Sequence, residues 1–327
     1  MKQKSDCFEF IPFGFENISS FLSIREGEIK IGEKINFDYN SPNTKYVILG
    51  ISEDIGPQAN HGSKGSTNAF KAFISRFVNV QSNRFLSGEE ICIHGEILQL
   101  SPFIETLEAR NRIQILDDFI EAIITPIIAC GKIPIVIGGG HNNAYPLIKS
   151  CFSIYNSPID VINLDPHADC RKLEGRHSGN PFSYATENGF LNHYSVLGLH
   201  QQYNSEAIYN YLDKKNFFYT FFEDYLDEKR NLKEDLQFLF SKKDEDRKFG
   251  IELDLDSIIM MPTSAFTPSG FTVEEARMYI RKVGNQKNSM YLHIPEGSPQ
   301  SDLEYKIIGK TLTYLVVDFI KVNRQCN

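Results

Sequence analysis

Three short apolar runs in this chain of 327 residues each stop abruptly at side chains able to bind a metal. Ile133 to Ile137 gives way to Gly138, Gly139, Gly140 and His141. Val161, Ile162 and Leu164 lead into Asp165, His167 and Asp169, and the apolar lead of FGIELDLDSI ends in Asp254 and Asp256. Runs this short, bounded by such residues, read as buried strands rather than helices. Side chains on an extended backbone alternate between faces, so Asp165, His167 and Asp169 are expected to aim one way, and Asp254 with Asp256 likewise. Carboxylates crowded at the end of a buried strand are costly unless a cation holds them there.

The same reading places further strands at Tyr46 to Ile51, Ile91 to Ile93, Tyr194 to Leu199, Phe217 to Phe222 and Met290 to Ile294, with the Asp254 run starting at Phe249. Between them fall helical patterns at 102–129, 143–152, 205–212, 232–242, 273–283 and 302–322, and one opening at Ser66 or Thr67 with Phe70, Phe73 and Phe77 facing inward. Short strands alternating with helices call for a parallel sheet of about eight strands covered on both faces. Residues 1–44 show no clear pattern, no linker divides the chain, and 1–327 reads as one domain. In open sheets of this kind ligands gather beyond the carboxyl ends of the strands, where all three clusters sit.

A net charge of −8 argues against a nucleic-acid partner, which would require a basic patch. No apolar run reaches the roughly 20 residues of a membrane span, and MKQKSDCFEF lacks the features of a secretory signal, so no membrane partner and a cytoplasmic location are expected. The six cysteines show no C-x-x-C spacing and read as reduced thiols; Cys170, beside Asp169, is expected to face away from the metal side.

Asp165, Asp169, Asp254 and Asp256 bring four negative charges, enough to balance two divalent cations, with His141 and His167 as neutral ligands. An oxygen-rich set with some imidazole suits manganese first, with iron(II), nickel or cobalt(II) as alternatives, rather than a structural zinc.

GGGH, DPHAD and DLDSI, in this order and spacing, resemble the ureohydrolase superfamily of arginases, agmatinases and formimidoylglutamases, over most of the chain from about Tyr46 onward. The resemblance implies a three-layer α/β/α sandwich, commonly assembled into trimers or hexamers. It also implies two Mn2+ per chain, one held by His141, Asp165, Asp169 and Asp254 and the other by Asp165, His167, Asp254 and Asp256, with Asp165 and Asp254 bridging. Gly140 before His141, Arg171 two residues past the Asp-x-His-x-Asp motif, and the run Ser178 to Phe182, SGNPF, lean toward the formimidoylglutamase branch. Pro166 departs from the usual Ala, and where guanidino-specific relatives place a Glu on the last strand, LHIPEGSP puts His293, with Glu296 three residues on. Arginases carry a proton-shuttling His where this chain has Ser178, and His177 lies one position away.

The chemistry so implied is attack on an amidine or guanidine carbon by a water that two cations have acidified from about 15.7 toward 7. Asp169 would orient the nucleophile and His177 supply the proton to the leaving nitrogen. Arg171, Ser178, Asn180, His293 and Glu296 are the expected substrate-binding residues, with Arg171 and Arg176 the candidates for a substrate's carboxylates unless they pair with acids such as Glu174. His61 and His200 can border the site, whereas His94 and His193 read as structural or exposed. N-formimidoyl-L-glutamate, yielding L-glutamate and formamide in histidine degradation, is the first expectation. Urea release from a guanidino compound and a non-catalytic metal-binding descendant are the alternatives.

Overall fold

All eight expected strands enter one sheet in the computed structural model, which describes residues 4–102, 105–241 and 247–326. The strands are β1 (Phe8–Pro12), β2 (Tyr46–Ser52), β3 (Ile91–Gln99), β4 (Ile133–Ile137), β5 (Ile159–Leu164), β6 (Leu191–Leu199), β7 (Phe218–Phe221), β8 (Phe249–Leu253) and β9 (Ser289–Ile294). Their order across the sheet is β1-β3-β2-β4-β9-β8-β5-β6-β7. Every pairing from β2 to β9 is parallel, and the ninth strand is β1, which runs antiparallel to β3 at the edge.

Both faces of the sheet are apolar and both are covered. In β2, Tyr46 and Ile48 enter one core and Val47, Leu49 and Ile51 the other; in β5, Ile162 and Leu164 part in the same way from Ile159 and Val161. The first face carries the helices Ala69–Phe77, Val273–Gly284 and Asp302–Asn323, and the second carries Thr106–Ala129, Ala144–Tyr155 and Pro181–Glu187. Two of these helices open on capping boxes, in which a hydroxyl and a carboxylate satisfy free amides reciprocally. Glu275 N–H donates to Thr272 Oγ1 at 3.1 Å and Thr272 N–H to Glu275 at 2.8 Å; Ser301 and Glu304 repeat the arrangement.

Boundaries shift where local chemistry decides them. β3 continues six residues past Ile93 because a bulge at His94 and Gly95 lets the pairing with β2 resume. The helix expected from residue 232 to Lys242 ends at Leu239, and Lys242 lies outside the described residues. Among the described residues no helix is long and apolar enough to cross a membrane, and all six cysteines are free.

Candidate metal centre

Four central strands, β4, β9, β8 and β5, lie side by side, and their carboxyl ends deliver the charged residues to one place. After β4 the chain turns through Gly138 and Gly139 at φ 88° and 70°, a left-handed geometry that glycine adopts without strain. The turn is held by Glu53, a fully buried carboxylate that accepts from Gly140 N–H at 2.7 Å, Gly56 N–H at 3.0 Å and Asn143 Nδ2 at 3.0 Å. His141 N–H in turn donates to Glu296 beyond β9 at 2.8 Å.

Beyond β5 and β8 the chain makes the same small device twice. Asp165 Oδ1 accepts from His167 N–H, and Asp254 Oδ1 from Asp256 N–H, each at 2.7 Å. These are Asx turns, so the extended alternation expected of both motifs is corrected: β5 ends at Leu164 and β8 at Leu253. Asp169 completes its motif at φ 48°, a left-handed conformation that Asp tolerates better than most residues. Each Asx turn engages Oδ1, while Oδ2 of both residues faces His141; Asp165 Oδ2 also accepts from Asn163 Nδ2 at 3.0 Å. Asn204 fastens the first loop, accepting from Ala168 N–H at 2.9 Å and donating to Pro166 O at 3.0 Å.

His141 stands at the meeting point. It is fully buried, and its Nδ1 lies 3.1 Å from Asp165 Oδ2, 3.0 Å from Asp169 Oδ2 and 3.0 Å from Asp254 Oδ2, yet neither ring nitrogen is in hydrogen-bond geometry with a partner among the described residues. A buried nitrogen facing three carboxylate oxygens is a donor set suited to a divalent cation, with ligating atoms within 4.8 Å of one another. The second set is more open: His167 Nδ1 is 3.6 Å from Asp165 Oδ1 and 3.7 Å from Asp256 Oδ2. The Tyr203 ring stacks on the His167 ring with centroids 5.3 Å apart.

Burial and charge pull against each other in the site: burial alone would lower the His141 and His167 imidazoles, yet the carboxylates facing them, Asp165 first, raise both, His167 to about 10. Burial pushes the carboxyls of Asp169, Asp254 and Asp256 up, with Asp165 adding to each; Asp256 raises Asp254 further, and His141 or His167 pulls the other way. Asp165 is the exception: burial would raise it, but His141 and His167 hold it down at about 2. Burial and the Asp256 charge raise Glu296 to about 8, against bonds from Ser264 and the His141 amide.

A cavity of about 310 Å³ opens beside these groups, lined by His167, Asp169, Asp254, Asp256, Arg171, Ser178 and Glu296 among others. Of the expected ligands His141 and Asp165 lie beneath its lining, and three of the expected catalytic and substrate-binding residues do not line it either. His177 is fully buried and accepts from Gly179 N–H at Nδ1; burial, with Arg110 beside it, holds its imidazole down at about 4. Asn180 organises the loop instead, accepting from Arg176 and His177 N–H and donating to the carbonyls of Lys172 and Gly175. His293 points into the sheet, where Nδ1 meets Glu252 at 2.6 Å.

The two arginines part company. Arg171 lines the cavity with no ion pair among the described residues, whereas Arg176 is buried, and its partner is Asp117 rather than Glu174. Among the other histidines, His61 lines the cavity at φ 65°; His200 stacks between Tyr203 and Phe222; His94 packs on Phe10 and Tyr39, and His193 on Phe217. Cys170 is buried within the apolar core. Glu252, Glu53, Asn60, Tyr203 and Ser264 were not singled out from the sequence. Glu252 alone had a signal, since it extends the alternation of Asp254 and Asp256 by one step.

Residues 44–320 match the model of the Arginase family. Formimidoylglutamase of Macrococcus caseolyticus is 26% identical over 276 residues, covering 82% of this chain and 83% of that protein. Among solved structures, formiminoglutamase of Trypanosoma cruzi with Mn2+ is 20% identical with a TM-score of 0.72, covering 89% of this chain and 98% of that one. Formimidoylglutamase of Bacillus subtilis is 18% identical with a TM-score of 0.73, covering 93% and 95%.

Proposed function

We propose that this chain, which belongs to the arginase family, is a manganese-dependent hydrolase of N-formimidoyl-L-glutamate that releases L-glutamate and formamide. The observation that carries it is the buried Nδ1 of His141 facing carboxylate oxygens from the turns that follow two different strands, beside an open cavity. The donor set fits two Mn2+, one among His141, Asp165, Asp169 and Asp254, the other among Asp165, His167, Asp254 and Asp256. When bound, the ions would lower the pKa of a shared water so that it is nucleophilic at neutral pH.

The chain's own residues would do the rest. Asp169 Oδ1 or Oδ2 would orient the attacking water toward the amidine carbon. Glu296 would hold the substrate's imino N–H groups, and Arg171, which has no ion pair among the described residues, would take a substrate carboxylate in a forked pair. Ser178 would add a hydroxyl at the cavity wall. His61 lines the cavity and His177 does not, so the proton reaching the leaving glutamate nitrogen would pass by way of the His61 ring.

A second reading, urea release from a guanidino compound, is favoured by one observation: Glu296, rather than His293, stands at the cavity and would suit a cationic head group. Manganese-loaded protein offered N-formimidoylglutamate, arginine, agmatine and guanidinobutyrate separates the two. Formamide supports the first reading and urea the second, while neither product, with less than about one bound ion per chain, supports a non-catalytic descendant. The continuous sheet supports residues 1–327 as one domain, and we place the enzyme in the cytoplasm, in histidine degradation, as a homo-trimer or homo-hexamer.

A further inference from the structure

We propose that Glu252 is a positioning residue for the metal centre: it takes the Nε2 proton of His141, so that His141 presents Nδ1 to the cation, while His293 and Tyr291 hold Glu252 in place. This rests on the reading of His141 as a ligand.

Glu252 and His293 face each other directly in the register between β8 and β9, and both are fully buried. Glu252 Oε2 is 2.6 Å from His293 Nδ1, and Oε1 accepts from Tyr291 OH at 2.9 Å. The Glu252 carbonyl is taken by Tyr279 OH at 2.9 Å, which anchors the backbone at the same point. Glu252 Oε2 also lies 3.4 Å from His141 Nε2, a buried nitrogen that is in hydrogen-bond geometry with no partner among the described residues and has this carboxylate facing it. The same imidazole thus has carboxylates on both sides, three facing Nδ1 and one facing Nε2.

A neutral imidazole carries one proton, and a ligand must offer a lone pair. With Nδ1 committed to a cation, the proton belongs on Nε2, and the acceptor facing that atom is Glu252. A carboxylate in the middle of a buried strand pair is costly, and the neighbours Ile251 and Leu253 show what merely fills the space. Tyr291 OH and His293 Nδ1 bond to Glu252, and the approach of His141 Nε2 to 3.4 Å adds a further donor only if Glu252 carries its charge toward the histidines. A carboxylate behind a ligating histidine fixes its tautomer and ring angle and strengthens it as a ligand.

The arrangement has a signature that simple packing lacks. His141 belongs to one of the two ion sites, and among the described residues no hydrogen bond or ion pair joins Glu252 to His167 or Asp256. Loss of the carboxylate should therefore weaken one ion and spare the other, whereas a packing defect would loosen both.

The test is a Mn2+ titration of the full-length protein, with free Mn2+ read from its six-line EPR signal, on the parent, Glu252→Gln and Tyr291→Phe. Glutamine offers a single acceptor and no charge, and its NH2 must face either Tyr291 or the two imidazoles. In Glu252→Gln one ion is expected to keep its parental affinity and the other to weaken about 10- to 100-fold. Tyr291→Phe keeps the ring and removes one hydroxyl, for an expected selective loss of about threefold. It decides by the same split if Glu252→Gln fails to fold. Equal weakening of both ions, or a variant that titrates like the parent, overturns the role of Glu252 alone. A parent that binds fewer than two ions overturns the metal reading and this role with it.

Discussion

Arg176 and Asp117 form a buried ion pair behind the metal centre, and the energetics of the pair can be worked from its contacts. Arg176 donates from Nε to Asp117 Oδ2 at 2.9 Å and from Nη2 to Oδ1 at 3.2 Å, then to Asn142 O at 2.7 Å and Asn180 Oδ1 at 3.0 Å. Its guanidinium lies 4.6 Å from the Tyr145 ring and 5.2 Å from the Tyr184 ring. Burial pushes the Asp117 carboxyl up against the pull of Arg176, so the pair does not fully offset its own desolvation. Replacing Arg176 by Met strands that carboxylate in the core, at a cost of about 3–5 kcal/mol. The lost bonds to the Asn142 carbonyl and Asn180 add about 1–2 kcal/mol more. Asp117→Leu leaves the guanidinium its carbonyl, its amide and two rings, and should cost about 3 kcal/mol. Removing both charges leaves no stranded ion, so the double variant should cost about 3 kcal/mol less than the sum of the two. Urea unfolding with matched slopes measures all four proteins. A double variant that equals the sum of the singles within about 0.5 kcal/mol would refute the reasoning, because it would mean that neither charge depends on the other.

Other outcomes follow from single contacts. Burial between Phe10 and Tyr39 holds the His94 imidazole down at about 4, below its ordinary 6.5, so the unfolded chain binds the extra proton as pH falls. Stability should fall between about pH 6.5 and 4, by about 2 kcal/mol at about pH 5, and His94→Phe should remove that slope in unfolding measured across pH. Arg171→Ala should raise KM for a dicarboxylate substrate about 30-fold, the worth of a charge-assisted bond near 2 kcal/mol, with kcat much less affected; Arg171→Lys should recover only part in steady-state kinetics. A Cβ at Gly139 would lie 2.4 Å from Asn143 Nδ2 and 3.0 Å from Glu53 Oε1 at φ 70°. Gly139→Ala should therefore cost about 1–3 kcal/mol in thermal unfolding and weaken Mn2+ binding through the displaced turn.

Most of the sheet could be read from the chain because buried parallel strands leave short apolar runs that no helix would explain. What escaped was at the edge. β1 buries Phe8 and Phe10 but half-exposes Glu9 and Ile11, so its sequence resembles an ordinary surface segment. Its place depends on β3, where Gly95 at φ 155° has Ile11 O only 2.3 Å from where a Cβ would stand. The polar HGE stretch that made β3 look finished at Ile93 is the bulge that admits β1.

The site divides along a similar line. Asp165, His167, Asp169, Asp254 and Asp256 were recognisable because their spacing is local, even though the device that aims them is a pair of Asx turns and not extended strand. His293 was misplaced because its partner lies 41 residues away on a neighbouring strand. Within the chain it is one polar residue in an apolar run at the edge of a motif, and nothing there tells inward from outward. Knowing that β8 adjoins β9 turns Glu252 and His293 into direct neighbours, and knowing that β4 adjoins β9 on the other side brings His141 to the same carboxylate. Charges that a sheet interior would ordinarily reject are tolerated there because strands far apart in sequence meet to compensate one another, which is information carried by strand order rather than by any window of residues.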